Sequence, residues 1–365
     1  MSTTERRIAV VLFNLGGPDR LEAVRPFLAN LFADPAIIGL PALLRRPLAW
    51  FIARRRAPIA REIYARIGGG SPLLPLTEEQ GAALAAALAR RGHGAARTFV
   101  AMRYWHPMSE ATAAAVARWR PEEIVLLPLY PQFSTTTTGS SLSAWAAAAR
   151  RAGLDAPTRA ICCYPTNPGF IAAIAAATGA ALDEAAALGG EARLLFSAHG
   201  LPERVIARGD PYQAQVEATV AAVMARLGEA DHDHAICYQS RVGPLQWIGP
   251  AIEDELRRAA DDGVATVIVV PTAFVSEHSE TLVELDIEYR ALAASLGIAN
   301  FIRVATVGTA GAFIEGLAEL VIGALERSGG VASGCGKRWC APALAGCPTR
   351  TLPSRGEATD TEKPR

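Results

Sequence analysis

Short runs of β-branched and aliphatic residues alternate with long alanine- and leucine-rich stretches along most of the chain. Unbroken apolar runs of this kind are the mark of strands buried on both faces, and the stretches between them are long enough to form covering helices. The pattern predicts strands near residues 8–13, 98–102, 123–129 and 159–163, then near 193–198, 235–238, 265–271 and 301–307. Strands alternating with helices build a parallel sheet flanked by helices, so an α/β fold is expected. The rhythm also repeats. Leu127-Pro128-Leu129-Tyr130-Pro131-Gln132-Phe133-Ser134 and Val270-Pro271-Thr272-Ala273-Phe274-Val275-Ser276 both close a strand with proline, an aromatic residue and serine in similar order. Two similar α/β domains with a cleft between them, residues 1–175 and 176–328, are the simplest architecture, with the boundary near 165–185. From Gly329 onward periodicity gives way to Gly, Pro, Thr and charge, which reads as a tail (329–365) rather than a packed element.

Composition narrows the function. With 36 basic and 36 acidic residues among 365, the chain lacks the basic excess of a nucleic-acid binder. Its only lysines are Lys337 and Lys363, both in the tail, so the body can be neither a Schiff-base enzyme nor a P-loop NTPase, and no nucleotide cofactor is expected. No apolar run approaches the ~18–20 residues of a membrane span. The segment Met1 to Phe13 imitates a signal peptide, but its apolar part is short and runs into Asn14-Leu15-Gly16-Gly17-Pro18 without a cleavage site. A cytoplasmic location follows as the default, and with it six reduced cysteines rather than structural disulfides.

Two strand ends carry candidate chemistry. After the strand at 265–271 comes Val275-Ser276-Glu277-His278-Ser279-Glu280, continuing through Glu284 and Glu288. Carboxylates four residues apart share a helix face, where like charges cost about 0.2–0.5 kcal/mol per pair. A solvated acidic face is the plain reading, but the carboxyl end of a strand is where open α/β sheets place ligands. The strand at 193–198 likewise leads into Ser197-Ala198-His199-Gly200-Leu201-Pro202. His199 and Glu280 together can hold a metal, accept protons, or do both.

These motifs, with Phe274 to Leu282 and Tyr238-Gln239-Ser240-Arg241-Val242-Gly243-Pro244, closely resemble the ferrochelatase family from Ile8 to about Glu326. The resemblance implies two Rossmann-like domains of the class II chelatase kind and insertion of Fe²⁺, as substrate, into protoporphyrin IX with loss of two pyrrole protons. By the same resemblance, His199 takes pyrrole protons or helps hold the iron, Glu280 is its partner, and Glu284 and Glu288 form a path for protons or metal. Leu15 faces the macrocycle opposite the histidine. Arg103, Tyr104 and Trp247 line the pocket, and Arg56, Tyr64 and Ser71 contact the propionates. Gly68-Gly69-Gly70-Ser71-Pro72 reads as a flexible pocket wall. Residues 40–56 mix aromatic, aliphatic and arginine side chains, as suits a lip resting on the inner face of an anionic membrane. A buried helix with an exposed basic side fits the same residues. Alternative readings are a coproporphyrin III chelatase or a porphyrin carrier without catalysis.

Cys335, Cys340 and Cys347 resemble the C-terminal cysteines that hold a [2Fe–2S] cluster in some ferrochelatases. The internal ligand position of the animal form is occupied here by Thr135, which leaves Cys162 or Cys163 as the body ligand. Analogy with cluster-bearing members also implies a homodimer.

Overall fold

The computed structural model describes residues 6–228, 232–241, 243 and 245–350; Val242, Pro244 and Lys363, named above, lie outside them. Nine strands form, β1 (Ile8–Asn14), β2 (Ala96–Met102), β3 (Glu123–Pro128), β4 (Thr158–Ile161), β5 (Ala192–His199), β6 (His234–Gln239), β7 (Thr266–Pro271), β8 (Asn300–Arg303) and β9 (Gly330–Ala332). The helices are α1 (Val24–Phe32), α2 (Ala42–Ala65), α3 (Leu73–Arg90), α4 (Ser109–Trp119), α5 (Thr138–Arg151), α6 (Pro168–Leu188), α7 (Glu203–Ala207), α8 (Tyr212–Leu227), α9 (Ile252–Asp261), α10 (Arg290–Ser295) and α11 (Gly311–Leu325).

Two parallel sheets result, in the orders β2-β1-β3-β4-β9 and β6-β5-β7-β8. Every residue of β1, β3 and β7 is buried, which is why these strands read as unbroken apolar runs rather than alternating ones. In each sheet the first strand lies between the next two, so the chain reverses direction across it. Such a switch point opens a crevice at the strands' carboxyl ends.

The two halves share one core. Leu12, Leu84, Phe170, Phe196, Val270 and Phe313 belong to a single buried cluster that runs through both. The helix α6 joins the halves without a break at residue 175; it starts where Asn167 accepts the Phe170 N–H at 3.0 Å. It packs on α8 and α11, and a side chain at Gly169 would collide with the Ala312 carbonyl. By length and composition α6 does pass the test for a membrane span, contrary to the reading of the sequence. Alanine makes it apolar, and close packing between two other helices is the use to which that small side chain is put.

Two buried glutamines of the first half pin the second. Gln80 donates to the carbonyls of Val275 (2.8 Å) and Gly308 (2.9 Å) and accepts from Ser276 Oγ (2.9 Å). Gln132 donates to Thr219 Oγ1 (2.9 Å) and to the Thr272 carbonyl (3.1 Å). Losing such a partner strands a buried polar group at a cost of about 1–3 kcal/mol.

The expectation of an unpacked tail is corrected for residues 330–350. The strand β9 extends the first sheet beyond β4, Arg338, Cys340, Cys347 and Thr349 are buried, and Gly346 N–H donates to the Gly209 carbonyl at 3.0 Å. Periodicity reports regular elements. Three strand residues followed by turns fitted onto a finished surface carry none.

Candidate active site

His199 is the last residue of β5. Its Nδ1 lies 2.7 Å from the Gly200 carbonyl, so that nitrogen donates a proton there and Nε2 is the ring nitrogen left to exchange one. The His199 backbone N–H donates to the Tyr212 hydroxyl oxygen, which fixes the backbone from the other side. Space is tight at Gly200: a Cβ there would stand 3.0 Å from the Gln239 carbonyl and 3.3 Å from Trp247 Cε3. Trp247 thus stands beside the histidine loop, and its indole N–H is buried without a partner among the described residues.

Beyond β7 the chain reaches His278 and then enters a π-helix (Glu280–Tyr289), not the α-helix expected. Spacing by four keeps carboxylates on one side of either helix, so the sequence could not separate them. The i→i+5 bonding of a π-helix is rare and clusters at functional sites. Glu280 meets His278 and Ser279, Glu284 meets the end of β6, and Glu288 reaches Arg66 at the end of α2, 3.3 Å away.

Glu280 sits between two imidazoles. Burial works against its charge, but His278, His199 and the Ser279 hydroxyl outweigh it and hold the carboxyl well below the usual range. Its side chain keeps 24% of its surface open, so it occupies a crevice crowded by protein rather than a sealed interior. Burial alone would lower the His278 proton affinity, yet Glu280 raises it overall. Nδ1 of His278 is 3.0 Å from Glu280 Oε2 and 3.2 Å from the Glu280 backbone nitrogen, contacts that ask opposite roles of one atom. The raised affinity favours an imidazolium that donates to the carboxylate. Glu284 is pushed up to about 7, first by burial and then by the Glu280 charge, against the pull of Ser240 and Gln239. Those two groups donate to its Oε2 at 2.6 and 3.0 Å.

The first half supplies the facing wall. Leu15 follows β1 and packs with Tyr64, Tyr104 and Phe32. The backbone N–H groups of Arg103 and Tyr104 bond the carbonyls of Asn14 and Leu15, each at 2.9 Å, which brings the end of β2 beside the end of β1. Asp34 gathers this wall, taking Arg103 Nη2 at 2.8 Å, the Tyr104 hydroxyl at 2.7 Å and the Ser140 hydroxyl. Arg56 lies over the Phe32 ring at 5.8 Å, and its burial lowers its pKa. The Tyr64 oxygen stands 3.5 Å from Ser279 Oγ across the cleft. Ser71 Oγ accepts the Leu73 N–H at 3.3 Å, where it caps α3 against Gly17. Gly68 and Gly69 hold φ of 89° and 91°, a conformation open to glycine.

Four participants escaped the sequence reading. His278 lay inside the acidic motif but was given no role of its own. Phe274, whose ring meets His278 edge-on at 4.4 Å, stood in the same motif without a role. Ser240 carries no local signal: its value lies in a left-handed φ of 61° that aims its hydroxyl at Glu284. Asp34 belongs to no motif and meets Arg103 only through the fold.

Away from the cleft, Cys162 and Cys163 place their sulfurs 3.5 Å apart, in a patch with Phe133 and Trp339. Cys340 and Cys347 share a hydrogen bond and lie within electrostatic reach of Cys163. Cys335 is exposed and bonds Ser333 at 3.0 Å, with Arg327 between it and Cys162. Thr135 donates to Asp210 at 2.6 Å. No group of three or more His, Cys, Asp or Glu side chains is already arranged as metal ligands among the described residues.

A family model described as Ferrochelatase matches residues 7–325. The ferrochelatase of Caulobacter vibrioides (strain NA1000 / CB15N) is 54% identical over 347 residues, covering 94% of this chain and 98% of its own. That of Phenylobacterium zucineum (strain HLK1) is 55% identical over 341 residues, covering 93% and 97%. SirB from Bacillus subtilis with Fe3+ aligns over 87% of this chain and 94% of its own at 11% identity, with a TM-score of 0.49, too loose to add to the sheet topology itself. Matches of this identity and extent, over a cleft with this arrangement of imidazole and carboxylate, show that the chain belongs to the ferrochelatase family.

Proposed function

We propose that this ferrochelatase inserts Fe²⁺ into protoporphyrin IX, each iron replacing the two pyrrole protons, and that the cleft between the strand ends is where it does so. The observation that carries the reading is Glu280 standing 3.0 Å from His278 Nδ1 and within electrostatic reach of His199, which together favour its charged form. Nε2 of His199 takes pyrrole protons, and the fixed negative charge of Glu280 stabilises the imidazolium that forms. Glu284, titrating near neutrality, passes the protons on toward Glu288 and solvent. Leu15, Tyr104, Arg103 and Trp247 grip the macrocycle, while Arg56, Tyr64 and Ser71 meet propionates. Imidazole and carboxylate do not exclude Zn²⁺ or Co²⁺. A carrier without turnover would have no use for proton acceptors at the ring centre.

Anaerobic assay with protoporphyrin IX and Fe²⁺, following loss of porphyrin fluorescence, tests this beside His199→Ala. Turnover should fall by about 10²-fold or more, with porphyrin still bound. Two proteins that bind porphyrin and insert no metal would leave the carrier reading standing.

The thiols of Cys162 or Cys163, Cys340 and Cys347 lie within electrostatic reach of one another and suit a [2Fe–2S] cluster by their chemistry, with the exposed Cys335 as the remaining ligand. When bound, such a cluster ties the tail to the body through thiolate bonds and can carry one electron. Anaerobically purified wild type should be coloured and contain acid-labile sulfide, and Cys340→Ser should lose both. Colourless wild type without sulfide rejects the cluster.

The membrane contact has its support in α2. Leu43, Leu44, Trp50, Phe51 and Ile59 are exposed there, with Arg25 and Arg54 stacked on Trp50 at 5.1 and 5.7 Å. An apolar surface flanked by arginine suits an anionic lipid face, so the enzyme is cytoplasmic and peripheral at the inner membrane face in this reading.

A further inference from the structure

We propose that Asp34 limits how many carboxylates the bound porphyrin can carry, by holding the Arg103 guanidinium in a closed ion pair so that this arginine offers a ligand no unpaired positive charge. The inference deepens the reading of the cleft as a porphyrin site and rests on it.

Asp34 is 3% exposed. Its Oδ2 takes Arg103 Nη2 at 2.8 Å, the Tyr104 hydroxyl at 2.7 Å and the Ser140 hydroxyl, and its Oδ1 takes the Ala36 N–H at 2.8 Å. Arg103 Nε is held by Ser140 Oγ at 2.6 Å. Stability gives little reason for this assembly, since a buried ion pair gains little or nothing over apolar residues of the same volume. Its location gives a better one. Arg103 and Tyr104 are the residues bonded to the backbone of Asn14 and Leu15, and the Arg103 side chain keeps 20% of its surface open.

Two further arginines bear on this wall. Arg66 is engaged by Glu288 at 3.3 Å. Arg56 has no carboxylate partner among the described residues and stacks on Phe32, two residues before Asp34. Of these three arginines, two are neutralised by carboxylates that belong to the protein, and one is left to meet carboxylates that belong to a ligand. A porphyrin with two propionates can direct both toward Arg56, Tyr64 and the Ser71 hydroxyl. One with four must bring further charges against Arg103 and Leu15, where no free cation compensates their loss of water. Asp34 is therefore a positioning residue that also sets substrate charge.

The test compares kcat/KM for coproporphyrin III, with four carboxylates, against protoporphyrin IX, with two. In Asp34→Asn, which keeps the shape and removes the charge, the ratio should rise at least fivefold over wild type, chiefly through KM for coproporphyrin III. The gain should shrink at high salt, where a freed guanidinium is screened. In the double variant Asp34→Asn with Arg103→Gln the ratio should return toward wild type. Folded Asp34→Asn with an unchanged ratio overturns the proposal, and so does a gain that persists in the double variant. Should Asp34→Asn not fold, Asp34→Ser carries the test: it likewise removes the carboxylate and frees the guanidinium, and an unchanged ratio there is equally fatal. Failure of the underlying porphyrin reading would look different, as wild type would metallate neither porphyrin.

Discussion

The two sheets are built alike and charged differently. Each threads its first strand between the next two, as β2-β1-β3-β4 and as β6-β5-β7-β8, and each opens its strand ends toward the cleft. The ends of β1 and β2 present Leu15, Tyr104 and an arginine whose charge Asp34 has already taken up. Those of β5, β6 and β7 present His199, Ser240 and the His278–Glu280 pair. A shared backbone plan therefore fixes where side chains stand, while the residue at each strand end gives one half an apolar, neutralised wall and the other its imidazoles and carboxylates. The glutamine pins matter for the same reason: Gln80 reaches from α3 to the segment that leads into Glu277 and His278, so the binding half sets the position of the chemical half.

The comparison can be broken most forcefully from the second half. Glu284→Gln should lower kcat by about 10- to 100-fold while leaving KM for the porphyrin within twofold, because a relay and not a contact is removed. The same variant should alter stability in a defined window. The folded-state pKa of Glu284, about 7, stands above the ordinary 4.5, so its carboxyl favours folding while protonated and that favour is lost as pH rises toward and through 7. Glutamine is neutral throughout. Thermal unfolding should therefore show no difference below about pH 4.5 and a more stable variant at pH 8, by at most ~3 kcal/mol, reduced by the water that reaches the open edge of the cleft. A change in porphyrin KM with unchanged kcat would erase the division between the halves.

A smaller effect is expected from the first half. Leu43 and Leu44 on α2 are 89% and 61% exposed. Changing both to serine should reduce co-sedimentation with anionic liposomes several-fold, while kcat with detergent-dispersed porphyrin stays within twofold. Wild type that ignores lipid sinks the membrane contact, and a large loss of kcat would mean that the lip takes part in chemistry after all.

Much of this was legible in residue order. Eight strands were legible as short apolar runs, most plainly β1, β3 and β7, where burial of every residue demands them, whereas β9, at three residues, left no period to detect. His199 was legible because it closes a strand, and Glu280 because its motif is the first after the end of another. The helix carrying Glu280 read as α, since four-residue spacing suits the α and π forms alike.

By itself the sequence determined the α/β class, the strand-end positions of His199 and Glu280, and membership in a family, since each depends on residues that are neighbours in the chain. Tertiary structure alone decided what those residues can do. Asp34 meets Arg103 across 69 positions, Ser240 meets Glu284 across 44, and Arg66 meets Glu288 across 222. Proton affinity and free charge depend on distance in space, and at these separations only the packed fold sets that distance.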